Sequence, residues 1–188
     1  KYDRFRNRLM FPIHNITGKV IAFGARQIKE EKKQPKYINS PETLLYIKSD
    51  ILYGLYQSKN EIRKEDKCYL VEGYTDVISL YQVGINNVVS SSGTSLTTGQ
   101  IKLLSRYTKN ITILFDGDEA GLNASLRGMD LILENDLNVK IVSLPKNEDP
   151  DSLSKKMNES EFKNYLNSNE TDLINYKVKL LNENYKDD

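Results

Sequence analysis

The chain has 188 residues with 38% hydrophobic content and a formal net charge of +1, which suits one moderate domain or one domain with parts of its neighbours. It has no apolar run near the roughly 18 residues of a membrane span, and its single cysteine, Cys68, excludes an internal disulfide framework and a multi-cysteine zinc site. Charge is unevenly spread: residues 1–67 carry 15 Lys/Arg against 8 Asp/Glu and residues 68–188 carry 12 against 18, so a basic half precedes an acidic one. That order suits a polyanion tract beside a carboxylate metal site, although two ordinary solvated surfaces give the same imbalance. The start, Lys1-Tyr2-Asp3-Arg4, is neither an initiator Met nor a signal peptide, and reads as the beginning of a fragment of a cytoplasmic protein.

In chain order, the apolar runs 8–13 and 20–23 flank Asn15-Ile16-Thr17-Gly18 and predict a β-hairpin. Residues 29–36 form a charged loop, and 37–43 read as irregular. Leu52, Leu55, Tyr56 and Ile62 give helical spacing over 52–64, and 64–67 is a polar hinge. From Cys68 the rhythm becomes strand, turn, helix: strands at 69–71, 87–89, 111–115 and 139–144, with helices at 75–83, 97–107 and 120–134. Four continuous apolar strands alternating with helices predict an α/β fold, α+β over the whole chain, with a mainly parallel four-stranded sheet covered on both faces. After Pro150 the chain reads as a helical tail, with Leu153, Phe162, Tyr165, Leu166, Ile174 and Leu180 as buried positions.

Functional groups of such sheets collect beyond the carboxyl ends of the strands. Glu72 follows the first strand, with Gly73 allowing a sharp turn after it. Asp116 and Asp118 follow the third, and Asp149 and Asp151 the fourth. In extended backbone, residues two apart point the same way. Carboxylates converging in this way repel unless a cation lies between them. Mg²⁺ takes such oxygen ligands and keeps several waters, and two ions about 3.5–4 Å apart can serve phosphoryl transfer. Each piece alone has an ordinary meaning: Asp-Gly-Asp is a common turn or helix N-cap, and Asp-Pro-Asp a common helix start. Three strand ends in order favour the ligand meaning. Asp76 is either a ligand or a charge on a first helical turn, with a supporting role preferred.

These motifs resemble the Toprim domain shared by primases, topoisomerases and some nucleases, whose pattern is a Glu after the first strand and a later Asp-X-Asp. The flanks resemble bacterial DNA primases in particular: the Arg4 to Ile13 segment Arg-Phe-Arg-Asn-Arg-Leu-Met-Phe-Pro-Ile, Gly24-Ala25-Arg26, the run from Pro35 to Thr43, Glu72-Gly73-Tyr74-Thr75-Asp76, Ser92-Gly93-Thr94, Phe115-Asp116-Gly117-Asp118 and Glu148-Asp149-Pro150-Asp151. The resemblance covers about residues 1–155. Thr75 departs from it, at a position often Met in the family.

The resemblance implies three parts: residues 1–66 as the end of a basic subdomain, 67–151 as the Toprim domain and 152–188 as the start of a helical subdomain. It implies synthesis of short RNA primers on single-stranded DNA from ribonucleoside triphosphates. Glu72, Asp116 and Asp118 are the implied catalytic metal ligands, with Asp149 and Asp151 next, for Mg²⁺ or Mn²⁺ and no zinc. Arg4, Arg6, Arg26, Lys36, Tyr37 and Asn39 would face nucleotide and template. Tyr37 serves either to stack on a base or to pack. Asp76, Gly73, Gly93 and Thr94 are supporting candidates; a plain turn competes with a phosphate-facing one at 92–94. The family's zinc-binding domain and the domain that meets the replicative helicase are not in this chain, which is expected to be monomeric and to have no membrane partner. A Toprim nuclease or topoisomerase, or a non-catalytic binding module, is the competing function.

Overall fold

The computed structural model describes residues 3–29, 34–93, 95–146 and 148–184. Thr94 and residues 30–33 of the expected charged loop lie outside these. The expected hairpin forms from β1 (Arg8–His14) and β2 (Val20–Gln27). Its turn is fixed by Asn15, whose Oδ1 accepts from the amides of Thr17 and Lys19 at 3.0 Å each, and by Gly18 at φ +88°, a conformation glycine adopts without steric cost.

Residues 37–39, expected to be irregular, instead form β3 (Tyr37–Asn39), antiparallel to β2. Three residues with a proline two positions ahead give little strand pattern; the ladder to β2 makes the strand. Phe11, Ile13 and Ala22 point from this sheet into a small core with Tyr46 and Tyr74.

Helix α1 (Leu55–Glu65) starts three residues later than the spacing suggests. Tyr53 is extended and exchanges two 3.0 Å backbone hydrogen bonds with Ser90, and Gly54 at φ +84° makes the turn into the helix. Next come β4 (Cys68–Val71), α2 (Tyr74–Gln82), β5 (Val88–Ser90), α3 (Thr98–Leu104), β6 (Asn110–Ile113), α4 (Glu119–Leu133) and β7 (Asn138–Val142). These strands pair in parallel in the order β5-β4-β6-β7. Alternate residues feed two cores. Leu70, Ile111, Ile113 and Ile141 face one side with Met129 and Ile132; Tyr69, Val71 and Val142 face the other with Phe162 and Leu166. The apolar runs thus produce a sheet covered on both faces, as expected.

The tail adds α5 (Pro150–Ser154), α6 (Glu159–Asn169) and α7 (Leu173–Asn184), together with a strand, β8 (Glu170–Asp172), that the helical expectation for this region excluded. β8 lies antiparallel on β7, so the sheet has five strands rather than four. Glu-Thr-Asp carries no apolar signal; the strand exists because it covers the otherwise open edge of β7. Ile174, expected to be buried, is 75% exposed, and Tyr176 carries the core face of α7. The side chain of Leu180 lies outside the described positions. Among the described residues no helix is long and apolar enough to cross a membrane.

Glu170 anchors the fifth strand. Its carboxylate meets Lys67 Nζ at 2.5 Å and Lys140 Nζ at 2.9 Å and accepts from Thr112 Oγ1 at 2.7 Å. Burial pushes its pKa up, but the hydrogen bonds from Lys67, Thr112 and Lys140 outweigh burial and leave it lowered. A lowered carboxylate pKa stabilises the fold above the unfolded value, near 4.3, and the contribution is lost as pH falls through the folded value. Glu170→Ala strands Lys67, so we expect a loss of about 2–4 kcal/mol in denaturant unfolding at pH 7, with the gap from wild type closing in acid.

Candidate active site

Four of the expected acidic residues meet in one cleft of about 280 Å³: Glu72, Asp116, Asp149 and Asp151, with Asp76 beneath them. Arg26, Lys36 and Tyr37 line the same cleft. The basic and acidic halves of the sequence therefore share one surface.

Each acid is set by local backbone. Glu72 follows β4, and its Oε1 accepts a long 3.4 Å hydrogen bond from the amide of Asp116. Asp76 is buried on the first turn of α2, and its Oδ2 accepts from Gly73 N at 2.8 Å. Gly73 has φ −117°, ordinary extended backbone; the sharp turn expected of it is not what the position uses. Asp118 is exposed and caps α4, accepting from Gly121 N at 2.7 Å. Asp149 caps α5, accepting from Ser152 N at 2.6 Å. Asp151 meets Ser79 Oγ on α2 and Lys155 Nζ, the latter at 2.7 Å. The helix-cap meaning of both Asp-X-Asp motifs is thus present in the structure together with their approach to the cleft.

The two acidic loops interlock through Gly117. Its amide donates to Glu148 O at 2.9 Å, and a Cβ there would lie 2.3 Å from Pro145 O. No side chain fits, so only glycine brings Asp116 against the loop that carries Asp149.

Crowding shows in the acids' proton affinity. Burial, and then the charges of Glu72, Asp76, Asp149 and Asp118, push Asp116 up to about 7. Burial raises Asp76 to about 6 against the pull of the Gly73 amide, with Asp149, Asp151 and Glu72 adding to the rise. Glu72 is raised by burial, and by Asp118 against the Asp116 amide. Asp151 goes the other way: burial raises it, but Lys155, Ser79 and Arg26 outweigh burial. Among the described residues no three acidic, histidine or cysteine side chains already enclose an ion-sized point.

The remaining expected residues divide. Arg26 lies 5.7 Å from the centre of the Tyr37 ring, a cation–π contact inside the cleft. Asn39 does not line the cleft; its Oδ1 accepts from the Tyr74 hydroxyl at 2.5 Å. Arg4 and Arg6 line a separate pocket of about 260 Å³ with Lys29. Gly93, at φ +73°, lines the cleft, and its amide donates to Glu72 O at 3.2 Å. Ser79 and Lys155 hold Asp151, and Tyr74 joins the two sheets, roles that no local sequence pattern marks. The Tyr-X-Asp spacing of Tyr74 and Asp76 was visible, but which surface each would meet was not.

The residues match two family models: the N-terminal domain of the DNA primase catalytic core over residues 1–59, and a Toprim-like domain over residues 69–154. DNA primase from Clostridium acetobutylicum is 46% identical over 184 residues, which are 97% of this chain and 30% of that protein. The chain thus spans about a third of the length of that curated relative. The zinc-binding and RNA polymerase domains of Aquifex aeolicus primase superpose with a TM-score of 0.89 at 41% identity, covering 99% of this chain and 46% of that one. A DnaG primase catalytic domain bound to single-stranded DNA superposes with a TM-score of 0.80 at 40% identity, covering 89% and 53%. The basic antiparallel sheet and the acid-lined parallel sheet, joined as they are here, are a piece of a DnaG-type primase catalytic core, and the chain belongs to that family.

Proposed function

We propose that this chain carries the nucleotidyl-transfer centre of an enzyme that makes RNA primers on single-stranded DNA. One observation carries the reading: Arg26 and Lys36 face Glu72, Asp116, Asp149 and Asp151 across a single cleft. Cations on one wall suit the phosphates of a ribonucleotide and its template, and Arg26 offers a planar fork for two phosphate oxygens. The single-stranded DNA held by the solved relative supports the choice of template. A Toprim nuclease or topoisomerase uses the same acids, but the residues 1–59 that match a primase model favour polymerisation.

The acidic wall fits Mg²⁺, with Mn²⁺ as a substitute. Its carboxylates offer oxygen donors, and burial, with repulsion among them added, raises Glu72, Asp76 and Asp116, a tension that a hard cation relieves. Glu72, Asp116 and Asp118 would hold the metal first, and Asp149 and Asp151 would hold a further ion or its waters. When bound, the metal supplies Lewis-acid neutralisation of the phosphates and lowers the pKa of the attacking hydroxyl. The chain's own share is placement. Lys36 and Arg26 orient the triphosphate, Tyr37 offers a face to a base, and Asp76 holds the Glu72–Gly73 backbone. Bond making joins a primer 3′-oxygen to the α-phosphorus, and pyrophosphate leaves.

The test is to incubate the full-length parent with single-stranded DNA, four ribonucleotides and Mg²⁺ or Mn²⁺. RNA synthesis is expected; DNA nicking or relaxation without RNA would sink the reading. Glu72→Gln and Asp116→Asn should each cut synthesis by about 10²–10³-fold while circular dichroism stays unchanged. Near-normal synthesis by either would remove that residue from the ligand set. Lys36→Ala should raise the ribonucleotide KM about tenfold at similar kcat, as loss of a binding contact does.

Proton linkage gives a readout that does not depend on activity. Asp116 in the folded chain binds its proton up to about pH 7, well above the roughly 3.9 of an unfolded Asp. Its contribution is full below about 3.9 and is lost as pH rises to 7. Metal-free Asp116→Asn should therefore melt about 2–6 °C above wild type at pH 7.5, with the gap closing near pH 4. Mn²⁺ should raise the wild-type melting temperature more at pH 8 than at pH 6, because protons compete for the same oxygens; equal shifts at both would count against these acids as ligands.

A further inference from the structure

We propose that Arg8 is a positioning residue for the nucleotide-facing segment 34–37, a role that rests on the primase reading above. Arg8 is only 9% exposed, although it stands in a run of arginines whose neighbours Arg4 and Arg6 are exposed. Its guanidinium is turned onto the backbone of that segment. Nη1 donates to Pro35 O at 3.0 Å and Lys36 O at 3.2 Å, and Nη2 to Gln34 Oε1 at 3.4 Å. Gln27, the register partner of Arg8 across the hairpin, completes the hold: its amide donates to Lys36 O at 2.9 Å and its Nε2 to Gln34 O at 3.2 Å. Three successive carbonyls, from Gln34 to Lys36, are thus gripped by two side chains and one amide of the hairpin.

The next side chains along, Lys36 and Tyr37, line the carboxylate cleft. On the other side of the segment Arg8 lines the basic pocket with Arg4, Arg6 and Lys29. Arg8 is therefore the element shared by the cluster of exposed cations and the nucleotide-facing strand. A planar fork with several fixed donors can span two carbonyls, whereas the ammonium of lysine, a point charge on a flexible stem, cannot hold the same geometry. Arg8 touches no proposed substrate position; it acts through where it puts Lys36 and Tyr37.

The experiment uses the full-length parent as wild type, Arg8→Lys and Arg8→Ala. Ribonucleotide KM and kcat are measured on saturating single-stranded DNA, with melting temperature and amide hydrogen exchange at Gln27 and residues 37–39. Both variants should raise KM about tenfold with kcat within about threefold of wild type, and both should speed exchange at those amides. Guanidinium ion at low, non-denaturing concentration should lower the KM of Arg8→Ala toward wild type and leave Arg8→Lys unchanged. An unchanged KM, a loss confined to kcat, or unaltered exchange at Gln27 and 37–39 would overturn the proposal. Should the wild-type parent make no RNA, the primase reading falls, and the exchange rates still decide whether Arg8 holds the segment.

Discussion

Repulsion between carboxylates at the carboxyl end of the parallel sheet is the constraint around which this molecule is arranged. Glu72, Asp76, Asp118 and Asp149 each accept a hydrogen bond from a backbone amide, those of Asp116, Gly73, Gly121 and Ser152 in turn, while the Asp116 carboxyl, buried and standing in the field of the others, is raised to about 7. Amides are fixed donors that carry no counter-charge, so they orient acids without neutralising them. The exception is Asp151, which Lys155 neutralises while the Ser79 hydroxyl donates to it. A site held by amides keeps its negative potential for whatever cation arrives, and that remaining potential is what the proposed chemistry uses.

The second requirement is that the basic sheet meet this acidic edge at a fixed angle. Tyr74, two residues after Glu72, does most of the joining. Its ring stacks on Phe11 at 5.0 Å and meets Tyr53 edge-on at 4.7 Å, and its hydroxyl, whose pKa burial raises, donates to Asn39 on β3. Gly24 makes room for it, since a Cβ there would lie 2.4 Å from the ring. The same few residues after β4 thus provide an acid for the cleft, a buried carboxylate beneath it and a dowel into the neighbouring sheet. Tyr53, bonded to Ser90 through the backbone, ties the linker to the sheet edge nearby. With Tyr74 on one side and Arg8 on the other, Lys36 and Tyr37 are held from both ends of β3.

Much of this was legible in the chain. The change of period at Cys68 gave the parallel sheet, because strands buried on both faces must be apolar throughout, and the placing of Glu72, Asp116 and Asp149 after such strands gave the acidic edge. What could not be read were features whose cause lies far away in sequence. β8 is three polar residues that become a strand only because β7 has an edge to cover and Lys67 and Lys140 have charges to meet. β3 exists through its ladder to β2. Arg8 looks like one more exposed cation in Arg-Phe-Arg-Asn-Arg, and only the return of residues 34–36 across the hairpin turns it inward.

The sequence by itself determined the sheet, the order of its strands along the chain and the set of acids at its functional edge, since these follow from local pattern and from which residue succeeds each strand. Tertiary structure decided which acids share the cleft and which cap helices, that Lys36 and Arg26 stand opposite them, and that Arg8 is a strut rather than a surface charge. Those outcomes depend on segments such as 144–146 and 34–36 packing against residues distant in the chain, and no local pattern of hydrophobicity or charge encodes where such a segment comes to rest.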